Sequence, residues 1–473
     1  MGEIINSYPD FTGAFGDKRI AKRAEEVLKS LTAGRTSSLR QITKADAEQK
    51  SFYRLFNNES FTEKGIEECI VERCGQLCKA RHVLCIQDTT DFNFTSHRGR
   101  IASGTGLGRT FDQDATLGFM LHSSLVVDAD KSTALGFSSI NMWFREDRLA
   151  TDAKRMHQHF PIAQKESYRW IESTAQSSAL LQDAARITII ADRESDIYDM
   201  LVGDYGSKVD LLLRCSKNRK LVSGIYLNEY LNSLPVMHNY QLQVRGDIRK
   251  NMVPRVAQME VKWSTVTLCK PKNCKGNTQP KTKEVTIVEA KENKANGLVW
   301  RLYVTRPITS IEEAVEVIDW YKQRWHIEQI HRLLKTEGFK IEKSQLEQGW
   351  ALRKLTMLAM MATLRILQMM LAYEDDTEKQ DIDEAFTPDE IQCLHMVSAE
   401  MEGASILLKN TANPNKLKWA AWVIARLGGW KGYASQRKPG PIVLQKGLAQ
   451  FYAMFKGWQL YHTFTINKDV SSQ

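Results

Sequence analysis

Three acids far apart in the chain are candidates for shared chemistry: Asp88 at the end of the apolar run "VLCIQDTT", Asp192 at the end of "ITIIADRESD", and Glu328 within "YKQRWHIEQIHRLLKTEG". A carboxylate leaving the end of a central strand sits at the rim of a sheet, where open α/β sheets place their sites. Read as one helix at about 100° per residue, the third segment puts Ile327, Ile330, Leu333 and Leu334 on one side. Tyr321, Arg324, Glu328 and Lys335 then share a sector of roughly 60° on the other. The apolar stripe is what a helix packed on a core requires. A carboxylate aligned with a phenol, a guanidinium and an ammonium has no such structural reason.

If the three acids converge, like charges at close range raise one another's pKa unless cations neutralise them. Two Mg²⁺ ions sharing a carboxylate would remove that cost and accept oxygen ligands in octahedra. Such a pair activates water or a hydroxyl and stabilises the leaving oxygen of an in-line phosphoryl displacement. Arg324, Lys335 and Tyr321 then become phosphate-binding groups beside the ions. Each acid alone reads as a strand-end cap or a surface charge; the joint pattern points further.

The elements that must position these residues read as α/β. "HVLCIQD", "LGFMLHSSLVVD", "TALGFSSINMWF", "RITIIAD" and "DLLLRCS" are apolar, β-branched runs expected as strands, with a helical stretch at about 147–183 before the fourth. Between about 220 and 310, "VAQMEVKWSTVTLC", "KEVTIVEA" and "LVWRLYVT" form a β-rich insertion. Residues from about 16 to 70 read as helices carrying Arg19, Arg23, Arg35, Arg40, Lys44 and Arg54, a plausible small DNA-binding module. Beyond residue 373 an acidic connector leads to a helical tail. There "KLKWAAWVIARLGGW" spreads Leu417, Trp419, Ala420, Val423, Ile424 and Leu427 over one broad side.

Composition sets the outer bounds. A chain of 473 residues suits two or three domains, and a net charge of +9 with pI near 9.0 favours an acidic partner without demanding one. The eight cysteines lack zinc-site spacing and are expected as reduced thiols of a cytoplasmic protein. The first residues show no secretory pattern. Leu355–Ala372 is apolar but interrupted by Arg365, which fits a buried helix better than a membrane span. No Walker-type phosphate loop argues for a nucleoside triphosphate, and "SGTGLGRTF" reads as a connecting loop.

"YKQRWHIEQIHRLLK" carries the signature Tyr-x2-Arg-x3-Glu-x6-Lys and resembles one group of bacterial DDE cut-and-paste transposases, the group of composite transposon Tn-five. "YRLF", "DTT", "DRESD", "WHIE" and "WAAWVIARLGG" follow in the family's order nearly end to end. Ser195 and Asp91 depart from its pattern without touching a proposed ligand.

The resemblance implies an RNase H-like catalytic core over 71–373, with the β-rich insertion inside it. A helical domain binding the element's ends is implied over 1–70, and a helical dimerisation domain over 374–473. It implies that Asp88, Asp192 and Glu328 hold two Mg²⁺ ions, with Mn²⁺ able to substitute, and that Tyr321, Arg324 and Lys335 bind terminal phosphates. It further implies nicking, hairpin formation, hairpin opening and strand transfer by a homodimer on double-stranded DNA. Trp300 and Trp325 would stack on a flipped base. The rival readings are a retired transposase acting as a repressor, and a metal-dependent nuclease without strand transfer.

Overall fold

The computed structural model describes residues 8–34, 36–110, 116–145, 160–244, 253–272, 274, 279–403, 405, 408–433 and 436–471. Arg35 and the first part of the expected 147–183 helix lie outside them. The chain begins with α1 (Lys18–Ala33), α2 (Leu39–Ile42), α3 (Asp46–Phe56) and α4 (Glu63–Leu77). The Asp17 side chain caps α1 by accepting from the Arg19 amide, and Ala21, Ala24, Val27, Leu28 and Leu31 bury one face at helical spacing.

One nine-stranded sheet follows. Its strands are β1 (His82–Asn93), β2 (Gly118–Asp128), β3 (Ala134–Trp143), β4 (Arg186–Ala191), β5 (Val209–Arg214), β6 (His238–Val244), β7 (Arg255–Cys269), β8 (Thr282–Glu292) and β9 (Val299–Val304). Their order is β3-β2-β1-β4-β5-β9-β8-β7-β6. β1 runs antiparallel to β2 and parallel to β4, and β4 runs parallel to β5. The expected insertion is continuous with this sheet, because β9 pairs antiparallel with β5. Edge strand β6 has no strong apolar signal; its pattern alternates half-buried and exposed positions.

Alternation along β1 divides the core. Leu84 and Ile86 join an apolar cluster with the helices described below, whereas Val83 and Cys85 join a second cluster with Trp170 of α5 (Tyr168–Leu180) on the opposite face. Asp88 continues the first series and Gln87 the second, and the Gln87 amide meets the Thr174 hydroxyl of α5 at 3.0 Å.

After α6 (Tyr198–Val202), α7 (Leu227–Ser233), α8 (Ile311–Lys322) and α9 (Trp325–Arg332) comes α10 (Gly349–Glu374), the central core helix. It is long and apolar enough to cross a membrane, yet 94% of its apolar window is buried inside the protein. Arg365 is accommodated there by the rings of Phe386 and Tyr8, at 5.1 and 5.9 Å. Lys354 of the same helix donates to the Phe56 and Asn58 carbonyls, tying it to the N-terminal helices.

The tail forms α11 (Pro388–Met401), α12 (Leu417–Leu427) and α13 (Pro441–Ser471). The resemblance favoured a second subunit as the cover for α12. Instead Leu417, Trp419, Ala420, Val423, Ile424 and Leu427 are all buried within this chain. α12 packs on α10 and α13, and Gly447 permits the close crossing, since a Cβ there would lie 1.8 Å from the Ile424 carbonyl oxygen. Deleting residues 415–473 would strip this core.

Candidate active site

Asp192 directly follows β4, as expected, and its carboxylate accepts from the Arg193 amide at 2.6 Å. Asp88 is not at a strand end. β1 continues to Asn93 along β2, and only its parallel pairing with β4 stops, at Ile86. The acid therefore leaves the sheet beside the point where β1 and β4 part, on the face toward α9.

The single helix read across Tyr321–Gly338 is three pieces. α8 ends at Lys322, Arg324 lies in the turn before α9, and Leu333–Glu337 form a π-helical turn. Gly338 closes it, where a Cβ would meet the Leu333 carbonyl oxygen at 2.4 Å. The apolar stripe survives, with Ile327, Ile330, Leu333 and Leu334 buried. The polar row does not stay in one line. Tyr321 is 4% exposed, and burial, then the Asp192 charge, raises its phenol pKa. Lys335, in the π turn, pairs with Asp91 at 2.9 Å.

What converges is the acids on Arg324. Its guanidinium lies 3.7 Å from Asp88 Oδ2, 3.9 Å from Asp192 Oδ2, and in direct contact with Glu328 Oε1 one turn ahead. Residues 88, 192 and 328 thus share a single cation. Burial pushes the Asp88 carboxyl up to about 6, with Arg324 opposing and the Glu328 and Asp192 charges adding. Burial likewise raises Glu328. Among the described residues no three acids, histidines or cysteines stand close enough together to hold an ion in their present arrangement. The donor set nevertheless suits a hard divalent cation, and the desolvation of Asp88, with the Glu328 and Asp192 charges added to it, is the penalty such an ion would relieve.

Two neighbours escaped the sequence reading. Arg214, at the end of β5, places a guanidinium nitrogen 4.0 Å from Asp192 Oδ1; its signal was the strand end itself. His331, three residues after Glu328, brings Nδ1 to 3.9 Å from Asp88 Oδ2, and burial, then the Lys335 and Arg324 charges, pushes its pKa down to about 3. Nothing in its sequence context separates it from a core histidine.

The remaining acids near the motifs have other partners. Asp196 accepts from buried Arg219 and from the Ser216 and Lys217 amides. Trp325 is 53% exposed beside the site, while Trp300 on β9 is half-buried, its ring centroid 6.2 Å from that of Tyr321. Of the N-terminal cations, Arg19 pairs with Asp17 and Arg23 with Glu26, whereas Arg40, Lys44 and Arg54 are exposed.

Residues 174–365 match the family described as "Transposase DDE domain", and residues 12–61 match "Transposase DNA-binding". The first range holds Asp192, Arg324 and Glu328, and the second holds all six basic residues singled out near the N-terminus. A cryo-EM structure of a piggyBac transposase synaptic complex with hairpin DNA aligns over 92% of this chain and 76% of that one, at 8% identity and a TM-score of 0.37.

Proposed function

We propose that the chain, which matches a transposase DDE domain and a transposase DNA-binding domain, is a DDE transposase that moves its own element by cut-and-paste transposition. The observation that carries this reading is the meeting of Asp88, Asp192 and Glu328 around one guanidinium. The strand order β3-β2-β1-β4-β5, with β1, β4 and β5 parallel, supports an RNase H-like core over 71–373. The helices before it would bind the element's ends, and the helices after 373 would serve the two-end complex. The protein would act as a bacterial, cytoplasmic homodimer on double-stranded DNA.

Divalent cations are typical of the family, and we assign two Mg²⁺ ions, replaceable by Mn²⁺, to Asp88, Asp192 and Glu328. Such ions supply an activated oxygen nucleophile and neutralise the leaving oxygen. Four displacements at phosphorus follow, each exchanging one P–O bond for another. Water frees a 3′ hydroxyl, that hydroxyl attacks the opposite strand to close a hairpin, water reopens it, and the 3′ hydroxyl joins target DNA.

The protein's own groups hold and orient the strands. Arg324, released from the acids, and Arg214 at the strand end would bind the reacting phosphate as charged donors. Trp325 presents an exposed ring on which a base turned out of the bent end could stack, an interaction contributing about 1–3 kcal/mol. Trp300, lodged against Tyr321, would back that platform. Incubating the protein with Mg²⁺ and DNA bearing the element's ends tests the reading. Joined products support it, hydrolysis alone would mark a nuclease, and binding without cleavage would mark a repressor.

A further inference from the structure

Arg169 lies in α5, on the sheet face opposite α9, and reaches toward the neighbours of both acids, Asp88 within β1 and Asp192 after β4. Its Nε donates to the Thr89 hydroxyl at 3.0 Å, its second terminal nitrogen to Glu194 at 2.5 Å, and its first to the Glu166 carbonyl at 2.9 Å. Thr89 is the residue after Asp88, and Glu194 is two residues after Asp192. The guanidinium lies 5.5 and 5.7 Å from the rings of Trp170 and Trp143, and its side chain is only 15% exposed.

Thr89 extends the network. Its oxygen accepts from Arg169 and stands 2.9 Å from Nδ1 of the fully buried His122, so donating its own proton to that nitrogen keeps it paired. His122 in turn meets Trp170 edge-on, with centroids 4.6 Å apart.

We propose that Arg169 is a positioning residue whose planar fork, bonded to Thr89 and Glu194 at once, fixes the separation of Asp88 and Asp192 and thereby the cation affinity of the site. The parallel pairing of β1 with β4 ends at Ile86 and Ile190, two residues short of each acid, so the ladder does not itself pair Asp88 with Asp192. Arg169 supplies that missing cross-link through side chains. The guanidinium presents charged donors to Thr89, Glu194 and the Glu166 carbonyl in one fixed plane; a lysine can retain the charge but not the fork. The Glu194 arm, 69% exposed on the carboxylate side, contributes little stability by itself. Its effect is geometric.

The inference rests on the reading that Asp88 and Asp192 hold a divalent cation. The test is an electron-paramagnetic titration of Mn²⁺ into the full chain without DNA, alongside strand cleavage of end DNA. Arg169→Gln and Arg169→Lys are both expected to weaken Mn²⁺ binding about tenfold or more, the usual range for groups that orient metal ligands. Thr89→Val cuts one arm without moving the helix and should give a smaller loss, which disappears when added to Arg169→Gln. Full recovery of affinity by Arg169→Lys would assign the effect to charge and overturn the clamp. Additive losses in the double variant would also overturn it, and unchanged affinity in Thr89→Val would do so even if Arg169 variants proved too unstable to purify. Asp88→Ala is the control: if Mn²⁺ binds it as it binds the parent protein, the metal reading has failed, not the clamp.

Discussion

Arg324 stands where cations would have to go, and removing it tests that competition directly. In Arg324→Gln the carboxylates of Asp88, Asp192 and Glu328, with side chains 21%, 33% and 31% exposed, lose their shared positive charge. A pair at this distance attracts by about 4 kcal/mol at an effective dielectric of 20, before desolvation is subtracted. Breaking a buried pair from one side costs about 3–5 kcal/mol net, and the partial exposure of the acids argues for the lower end. For a chain of this size about 3 kcal/mol lowers the apparent melting temperature by about 3–6 °C.

Divalent ions should reverse the loss. At one hundred times its dissociation constant an ion bound only to the folded state adds about 2.7 kcal/mol, and in the variant none of that is spent displacing a guanidinium. Thermal unfolding with and without Mn²⁺ therefore should show a larger ion-induced rise in Arg324→Gln than in the parent, together with failed cleavage of end DNA. A variant that melts like the parent and gains no more from Mn²⁺ would refute the competition.

Alanine at Asp88, Asp192 or Glu328 should abolish nicking and joining alike while leaving end binding in a mobility-shift assay; metal-dependent cleavage by Asp192→Ala would remove that residue from the site. Arg40→Ala, Lys44→Ala and Arg54→Ala, at exposed positions of the N-terminal helices, should each reduce the log–log salt dependence of end binding by about one unit if they touch phosphate. Arg23→Ala, already paired with Glu26, should change it less. Trp325→Ala should melt within about 0.5 kcal/mol of the parent because the ring is exposed, yet accumulate nicked DNA ahead of hairpin on a resolving gel. Equal slowing of every step would point to packing damage instead.

Apolar periodicity was sufficient for most of the sheet, because β1 to β5 are buried runs that leave few alternatives. It also placed Asp192, since the apolar run and the strand end together. Asp88 was harder to read: β1 continues past it as "TTDFN", where pairing with β2 holds polar residues extended. The helix from Tyr321 to Gly338 failed for a related reason. Constant rotation per residue assumes one unbroken helix, and neither the turn at Arg324 nor the π turn at Leu333 changes the apolar stripe that sequence reports.

The tail misled in another way. An apolar side shows that something covers α12 without saying which chain supplies it. Arg169 and Arg214 carried no periodic signal at all, because their roles depend on strand ends brought together only by the fold.

The union of β5 with β9 has a mechanical consequence. Leu212, Leu213 and Arg214 pair with Val304, Tyr303 and Leu302 across that seam, and the Thr305 and Cys215 amides extend it by donating to the Leu211 and Arg301 carbonyls, so this short ladder transmits the alignment of the outer strands to the inner ones. Trp300 and Arg214 are thereby held to one ruler, with Arg214 Nη2 donating to the Val299 carbonyl at 3.4 Å. Inserting one residue in β9 between Trp300 and Leu302 would turn the indole to the opposite face and away from Tyr321. Length changes in the loops joining β6 to β7 or β7 to β8 leave the seam untouched. The short β9 segment from Trp300 to Val304 is thus not free to slide.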